Sequence, residues 1–376
     1  MMFSLSSLTR NAHIWLPGYF RDRFSRRPSR PPARAWVAFA DHFEPMWRGA
    51  SEETGCRRVK LWREQWPQIA ARHRDSAGQP PSYTFFYPEE EYRSHLLSTL
   101  AEMVEMKIAD VEVHLHHDGQ GEKDFVDRIT HFTQTLFHRH GLLRTHHGKL
   151  AFGFIHGNWA LDNSNPDGRW CGLNNELLLL RNLGCYADFT MPAAPNPPQS
   201  RMVNSIYWAT DDPGRPKSYD KGVRVRMGGS VEGDLMLIPG PLGFNWYGRR
   251  RWLVPRLETG ELASYSPPTA HRARLWLRFA PRISDNIFIK LFTHGAQERN
   301  SQELLGGALD LTLQYFKAEC ARQGIQCYFV SAYQMWKVIE AVREQREPLS
   351  ALEQTNGKPE NPSAPTAIVG RQELLQ

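Results

Sequence analysis

From residue 35 almost to residue 345, short β-rich runs alternate with amphipathic helical runs, and this alternation limits the fold more than any other feature of the chain. Repeated βα units imply a largely parallel sheet. Strands are predicted at 35–40, 83–87, 111–116, 151–156, 186–190, 286–292 and 326–330. Helices are predicted near 59–74, 92–104, 122–140 and 173–183, from Asn300 or Ser301 onward, and at 333–343. In the second of these, Tyr92, Leu96, Leu97, Leu100, Met103 and Val104 recur at three- and four-residue spacing, a stripe that reads as core packing. Between about 192 and 282 the rhythm breaks into Pro, Gly, Arg and aromatic residues, with strands possible at 205–209, 223–227 and 235–238. Long loops and hairpins laid over the scaffold are expected there, and such loops commonly carry binding groups.

A chain of 376 residues can form two or three small domains or one large α/β barrel. The unbroken strand series favours one barrel over 35–345, between a basic arm (1–34) and a tail (346–376) whose Pro, Asn, Gln, Glu and Ser content predicts disorder. With 41% hydrophobic and 11% aromatic residues, disorder is excluded as the dominant state. No uncharged apolar stretch reaches the roughly 18 residues of a membrane span. The apolar run at 14–20 is short, contains Pro17 and Gly18, and precedes the basic residues, so it does not read as a secretory signal. A cytoplasmic location is expected. The five cysteines form no CxxC pair, which suits reduced thiols and indicates neither a disulfide framework nor a cysteine zinc site.

The net charge of +6 is unevenly spread. Arg21, Arg23, Arg26, Arg27, Arg30 and Arg34 follow the aromatic cluster at 15–20. A solvated arm is the first reading. The alternative is peripheral contact with an anionic membrane, where each basic residue contributes roughly 1 kcal/mol. No nucleic-acid-binding module accompanies the charge, so no nucleic-acid partner is expected.

In parallel α/β folds, functional groups gather at the C-terminal ends of the strands. Here those ends carry Asp41, His42 and Glu44; His114, His116, His117 and Asp118; His156, Asn158 and Trp159; and His294. His114 and His116 alternate with period two and therefore share a face. Two imidazoles and an Asp from a neighbouring strand end form a three-ligand set that leaves a divalent metal an open position for water. Zn is the first expectation, with Co, Mn or Ni as alternatives. His131, His138, His140, His146 and His147 fall on or after a predicted helix, where solvent exposure explains them. Asp162, Asp167 and Asp211 sit in turn-forming sequence. Trp208, Tyr219, Trp246, Tyr247 and Trp252 could stack on sugar rings, and Arg249, Arg250 and Arg251 could meet anionic groups on a glycan or lipid phosphate. Core packing explains each of these aromatics, taken singly, at least as well.

The ordered series Asp41-His42, His114-Leu115-His116-His117 and Leu291-Phe292-Thr293-His294 resembles the NodB-type polysaccharide deacetylases, within the glycoside hydrolase/deacetylase superfamily. The resemblance is distant and follows strand order over most of 35–345. It implies a distorted (β/α)7-type barrel with an irregular insertion, and metal-dependent N-deacetylation of an acetylated sugar in a polysaccharide or a lipid-linked precursor. It makes Asp41 a metal ligand, His116 the first metal histidine, and His294 the acid that protonates the leaving amine. The family's base position falls on Ala40, so Glu44 or a histidine would substitute, or Asp41 itself would be the base with His42 joining the metal. The family's second metal histidine meets Gln120, which leaves His114 or His117 to complete the set. His42, His156, Asn158, Trp159 and Trp246 are the expected substrate contacts. A glycosidase and a non-catalytic glycan-binding protein on the same barrel are the alternatives, the latter favoured by Ala40.

Overall fold

The computed structural model describes residues 10–25, 31–247 and 255–353. Its strands are β1 (Arg34–His42), β2 (Tyr83–Pro88), β3 (Ala109–Leu115), β4 (Arg144–His146), β5 (Lys149–His156), β6 (Cys185–Asp188), β7 (Tyr207–Ala209), β8 (Val223–Arg224), β9 (Leu235–Leu237), β10 (Gly243–Asn245), β11 (Arg256–Glu258), β12 (Arg282–Ile283), β13 (Asn286–Thr293) and β14 (Gln326–Phe329). All but β10 and β11, which pair with each other, belong to one 12-stranded, mostly parallel sheet. β13, β1, β2, β3, β5, β6 and β9 follow one another in parallel. β1 lies at the centre: one edge pairs with β13, while the other pairs first with β14 and then with β2.

Both faces of the sheet are covered, so its strands are apolar at successive positions instead of alternating with polar ones. The period-two geometry sends Ala35, Val37 and Phe39 of β1 into one core and Trp36, Ala38 and Ala40 into another. The first core is packed by the helices Glu52–Ala71, Ser94–Glu105, Glu122–His140 and Leu309–Gln323. The second receives Met335, Trp336, Val338, Ile339 and Val342 of the helix Ala332–Arg343. The same parity continues along the other strands: Val111, Val113 and Leu115 of β3, Phe152 and Phe154 of β5, and Ile287, Ile289 and Leu291 of β13 all enter the first core. These faces are called the helix face and the inner face below.

Every predicted core strand is present within a few residues, and three stretches differ from expectation. The arm is not simply solvated: Ala12–Ser25 is helical, with Trp15 and Tyr19 buried against Val203, Leu242, Leu275 and Phe279. Its aromatics thus serve packing, while Phe20 and Phe24 stay exposed and stack on each other. Arg26, Arg27 and Arg30 lie outside the described residues. Within the stretch expected to be loops, Ala270–Phe279 forms a helix, capped by the Thr269 side chain accepting from Arg272 N–H. Its many arginines hid an apolar face made by Ala273, Leu275, Trp276, Leu277 and Phe279. Order also continues past Pro348 as the helix Pro348–Glu353, in which Ala351 is buried. No helix among the described residues is long and apolar enough to cross a membrane.

One inner-face group ties the fold to pH. Lys290 of β13 is buried, and its Nζ donates to the Phe189 carbonyl at 2.7 Å. Burial lowers its pKa to about 7, and Asp188 only partly opposes this. Because an unfolded Lys titrates near 10.4, the folded chain binds fewer protons between those values, and stability rises with pH through that window. Urea unfolding of Lys290→Met between pH 7 and 10 is expected to give a smaller rise than the wild type. Equal slopes would mean that Lys290 stays charged in the folded protein.

Candidate metal centre and active site

The strand-end residues are sorted by the same parity that sorts the core. His42 continues the Trp36, Ala38, Ala40 row, and His114 and His116 continue the row opposite Val113 and Leu115. His294 follows β13 on the row opposite Leu291. These imidazoles converge on the inner face: ring centroids are 5.3 Å apart for His42 and His114, 4.6 Å for His114 and His116, and 4.8 Å for His42 and His294. Glu44, two residues beyond β1, points among them, with Oε1 3.5 Å from His114 Nε2 and 3.9 Å from His116 Nε2.

His42, Glu44, Trp47, His116, Asn158, Trp159, His294 and Gln297 line a cleft of about 290 Å³. That is just below the roughly 300–1,000 Å³ of drug-sized sites, so the cleft suits one sugar ring or a group of similar size. Trp159 stands 6.0 Å from His42 and 6.1 Å from His294, ring to ring, as an aromatic wall.

His42, Glu44 and His114 each offer one ligand atom, all within 4.8 Å of one another. His114 Nδ1–H donates to the Ile155 carbonyl at 2.8 Å, which leaves the lone pair on Nε2. Among the described residues neither His114 Nε2 nor His42 Nε2 makes a hydrogen bond, although both are buried. Buried polar atoms are rarely left so, and an imidazole nitrogen with a free lone pair is a metal donor. Burial pushes the His42 pKa well down, aided by His294 and His114, and so keeps its ring neutral. Burial opposes charge on Glu44, but the imidazoles around it, His114 first at 3.5 Å, bring its pKa below the ordinary value. The donor set therefore fits a divalent cation.

The two remaining imidazoles are driven apart. Burial lowers the pKa of His294, with the Glu44 and Glu261 charges opposing this only in part. Burial also opposes charge on His116, but its Nδ1 hydrogen bond to Glu90 prevails and raises its pKa. One ring with a lowered pKa and one with a raised pKa face the same cleft, the pattern that separates base from acid.

Other expected site residues lie elsewhere. Asp41 follows Val37 and Phe39 onto the helix face, where it accepts from Gly295 N–H at 2.6 Å and Tyr83 O–H at 3.0 Å. Burial pushes it up to about 7 despite those bonds. It is not among the cleft-lining groups, and His42 and Glu44 stand beside His114 in its place. His117 and His156 are likewise on the helix face, in a buried group with Cys171 and Glu176. There His117 Nε2 is 2.9 Å from Glu176 Oε1 and 3.0 Å from His156 Nε2. Burial opposes the charge of Glu176, but His156 and His117 outweigh it. This second group could also hold a metal. Trp246 is 53% exposed, beside Phe244 and outside the cleft lining. Tyr219 is core, its hydroxyl bonded to the Pro198 carbonyl, and Tyr247 rests against His271. Arg249, Arg250, Arg251 and Trp252 lie outside the described residues.

Sequence reading missed Trp47, Glu90, Gln297, Cys171 and Glu176. Glu90 and Glu176 had a usable signal, each lying just after a strand end or at a helix start on the functional rim; Cys171 had none, for lack of a paired spacing. No family model matches the chain, and no curated protein matches it.

Proposed function

We propose that the cleft is the active site of a metal-dependent hydrolase that removes an N-acetyl group from a sugar, on a distorted (β/α) barrel of the NodB type. The observation that carries the reading is the pair of buried, unbonded imidazole nitrogens, His42 Nε2 and His114 Nε2, beside Glu44, with His42 and Glu44 lining the cleft and His114 buried next to them. His42, Glu44 and His114 would hold the metal. When bound, a divalent cation supplies Lewis-acid polarisation of the acyl oxygen and acidifies a water.

The chain's own groups do the rest. Neutral His294 takes the proton released as water attacks the acyl carbon. His116, fixed by Glu90 through Nδ1, delivers its Nε2 proton to the nitrogen as the C–N bond breaks, leaving acetate and a free amine. The acid role thereby moves from His294 to His116, because Glu90 stabilises the protonated ring and burial destabilises it on His294. Trp159 and Trp47 offer aromatic faces to a sugar ring, and Asn158 an amide to its hydroxyls. Ala40 supplies no base, being packed in the inner core.

A glycosidase needs two carboxylates across the scissile bond, and among the described residues Glu44 is the sole Asp or Glu in the cleft lining. A lipid-linked or nucleotide-linked acetylated sugar fits the small cleft better than a long polymer. In this reading the protein works in the cytoplasm, and exposed Phe20 and Phe24 beside Arg21 and Arg23 support peripheral contact with an anionic membrane. The test is acetate release from a panel of N-acetylated sugars by protein loaded with Zn, Co, Mn or Ni. Metal-dependent acetate release is expected. Glycan shortening, or tight glycan binding with no turnover under any of these metals, would overturn the reading.

A further inference from the structure

We infer that the chain carries a second, closed zinc site made by His117, His156, Cys171 and Glu176, which clamps the loop that walls the cleft. It lies on the helix face of the sheet and shares no residue with the cleft lining. Each of the four is buried and contributes one donor atom, and all four atoms lie within 4.8 Å of one another.

The spacing is that of a coordination shell. Ligand bonds of about 2.0–2.3 Å at tetrahedral angles put N or O donors roughly 3.3 Å apart and N or O roughly 3.6 Å from sulfur. Here His117 Nε2 to His156 Nε2 is 3.0 Å, His117 Nε2 to Glu176 Oε1 is 2.9 Å, and His156 Nε2 to Glu176 Oε1 is 3.3 Å. Cys171 Sγ is 3.4 Å from Glu176 Oε2. The three edges among His117, His156 and Glu176 Oε1 need open by only a few tenths of an ångström, and Cys171 Sγ, which bonds to the other oxygen of Glu176, lies within 4.8 Å of the rest.

Proton counting points the same way. His156 Nδ1–H donates to the Gly157 carbonyl at 2.6 Å, so its Nε2 bears a lone pair. That lone pair, the Glu176 carboxylate and His117 Nε2 are mutual neighbours, with at most the His117 proton to share among them. A cation satisfies all three. The surroundings are set as they are around metal ligands: Asp162 N–H donates to Glu176 Oε2 at 2.6 Å, and Asn163 N–H donates to Cys171 Sγ at 3.2 Å. Two imidazoles, one carboxylate and one thiol select zinc over Mg, Ca or Mn, and loading displaces the thiol proton. With four buried protein donors, the site is structural in type.

What it would hold is visible in the backbone. His156 ends β5 and Glu176 opens the helix Glu176–Asn182, so the connection between them is pinned at both ends and, through Cys171, near its end. That connection carries Asn158 and Trp159 of the cleft wall and places Asn158, Trp159, Asp162, Asn163 and Trp170 at positive φ. Non-glycine residues hold such conformations only when their surroundings enforce them.

The test is cobalt loading of the full-length protein, read by metal analysis and by absorption. Two equivalents are expected, with a near-ultraviolet sulfur-to-cobalt charge-transfer band. The band should persist in His114→Ala, which empties the cleft site, and vanish in Cys171→Ser with about one equivalent lost. Absence of the band from folded wild-type protein at saturating cobalt would overturn the inference, as would a band that survives Cys171→Ser. Should Cys171→Ser fail to fold, the wild-type and His114→Ala spectra decide. Because the band reports thiolate ligation alone, this result stands apart from whether the cleft hydrolyses anything.

Discussion

His294→Ala is expected to lower turnover by about 10²–10⁴-fold, the usual contribution of a positioned general base, while metal content stays unchanged. His114→Ala should instead lose both turnover and the cleft metal, since its Nε2 is one of the unbonded donors. The fold should survive either change. The His114 side chain donates one hydrogen bond, to the Ile155 carbonyl, and losing it should cost about 0.5–1.5 kcal/mol. The β3–β5 backbone pairing does not depend on it. Metal analysis, circular dichroism and acetate release on the same preparations separate the two roles. A His294→Ala protein with wild-type turnover would remove His294 from the chemistry.

The largest stability effect is expected at Arg272. Its guanidinium is buried against Glu258, with Nε 2.9 Å from Oε2 and Nη2 2.8 Å from Oε1, and it also donates to the carbonyls of Ser266, Pro267 and Glu261. Trp276 Nε1–H completes the carboxylate's shell at 2.8 Å. Burial opposes charge on Glu258, but Arg272 outweighs it and keeps the carboxylate low. Arg272→Leu would strand that charge and should cost about 3–5 kcal/mol in urea unfolding. Adding Glu258→Leu should recover part of the loss, because the uncompensated charge goes with it. A single-variant loss below about 1 kcal/mol would mean that the pair behaves as a solvent-screened surface bridge. The pair matters to the cleft because it anchors the segment whose Gly260 and Leu262 backbones bond to Phe292, two residues before His294.

Much of the scaffold was legible because its signals are local. Short β-rich apolar runs located β1, β2, β5 and β13, alternation located β3, and the helical stripe at Leu96, Leu97, Leu100 and Met103 faces the core as expected. The helix Ala270–Phe279 was not legible, since Arg272 reads as a surface residue until Glu258 is brought beside it. The pair β10 and β11 was hidden similarly, each strand being three residues long and held by its partner and by distant groups such as Arg272 and Trp15.

The site divides in the same way. That histidines and carboxylates crowd the strand ends, and that His114 and His116 share a face, follows from sequence order and the alternation of side chains along a strand. Which of them meet does not follow, because each contact joins residues from different strands. One residue of register between β1 and the end of β13 decides whether Asp41 or His42 faces His294, and the pairing of Asp41 with Thr293 puts His42 there. Leu115 pairs with His156, which leaves His117 free to turn to the helix face, and there Cys171 and Glu176 arrive by a loop path that no periodicity encodes. Sequence alone determined the α/β scaffold and the rim on which ligands collect, since both arise from interactions between near neighbours. Only the tertiary structure decided that the rim holds two separate groups on opposite faces of one sheet, since that depends on strand register and loop closure between residues far apart in the chain.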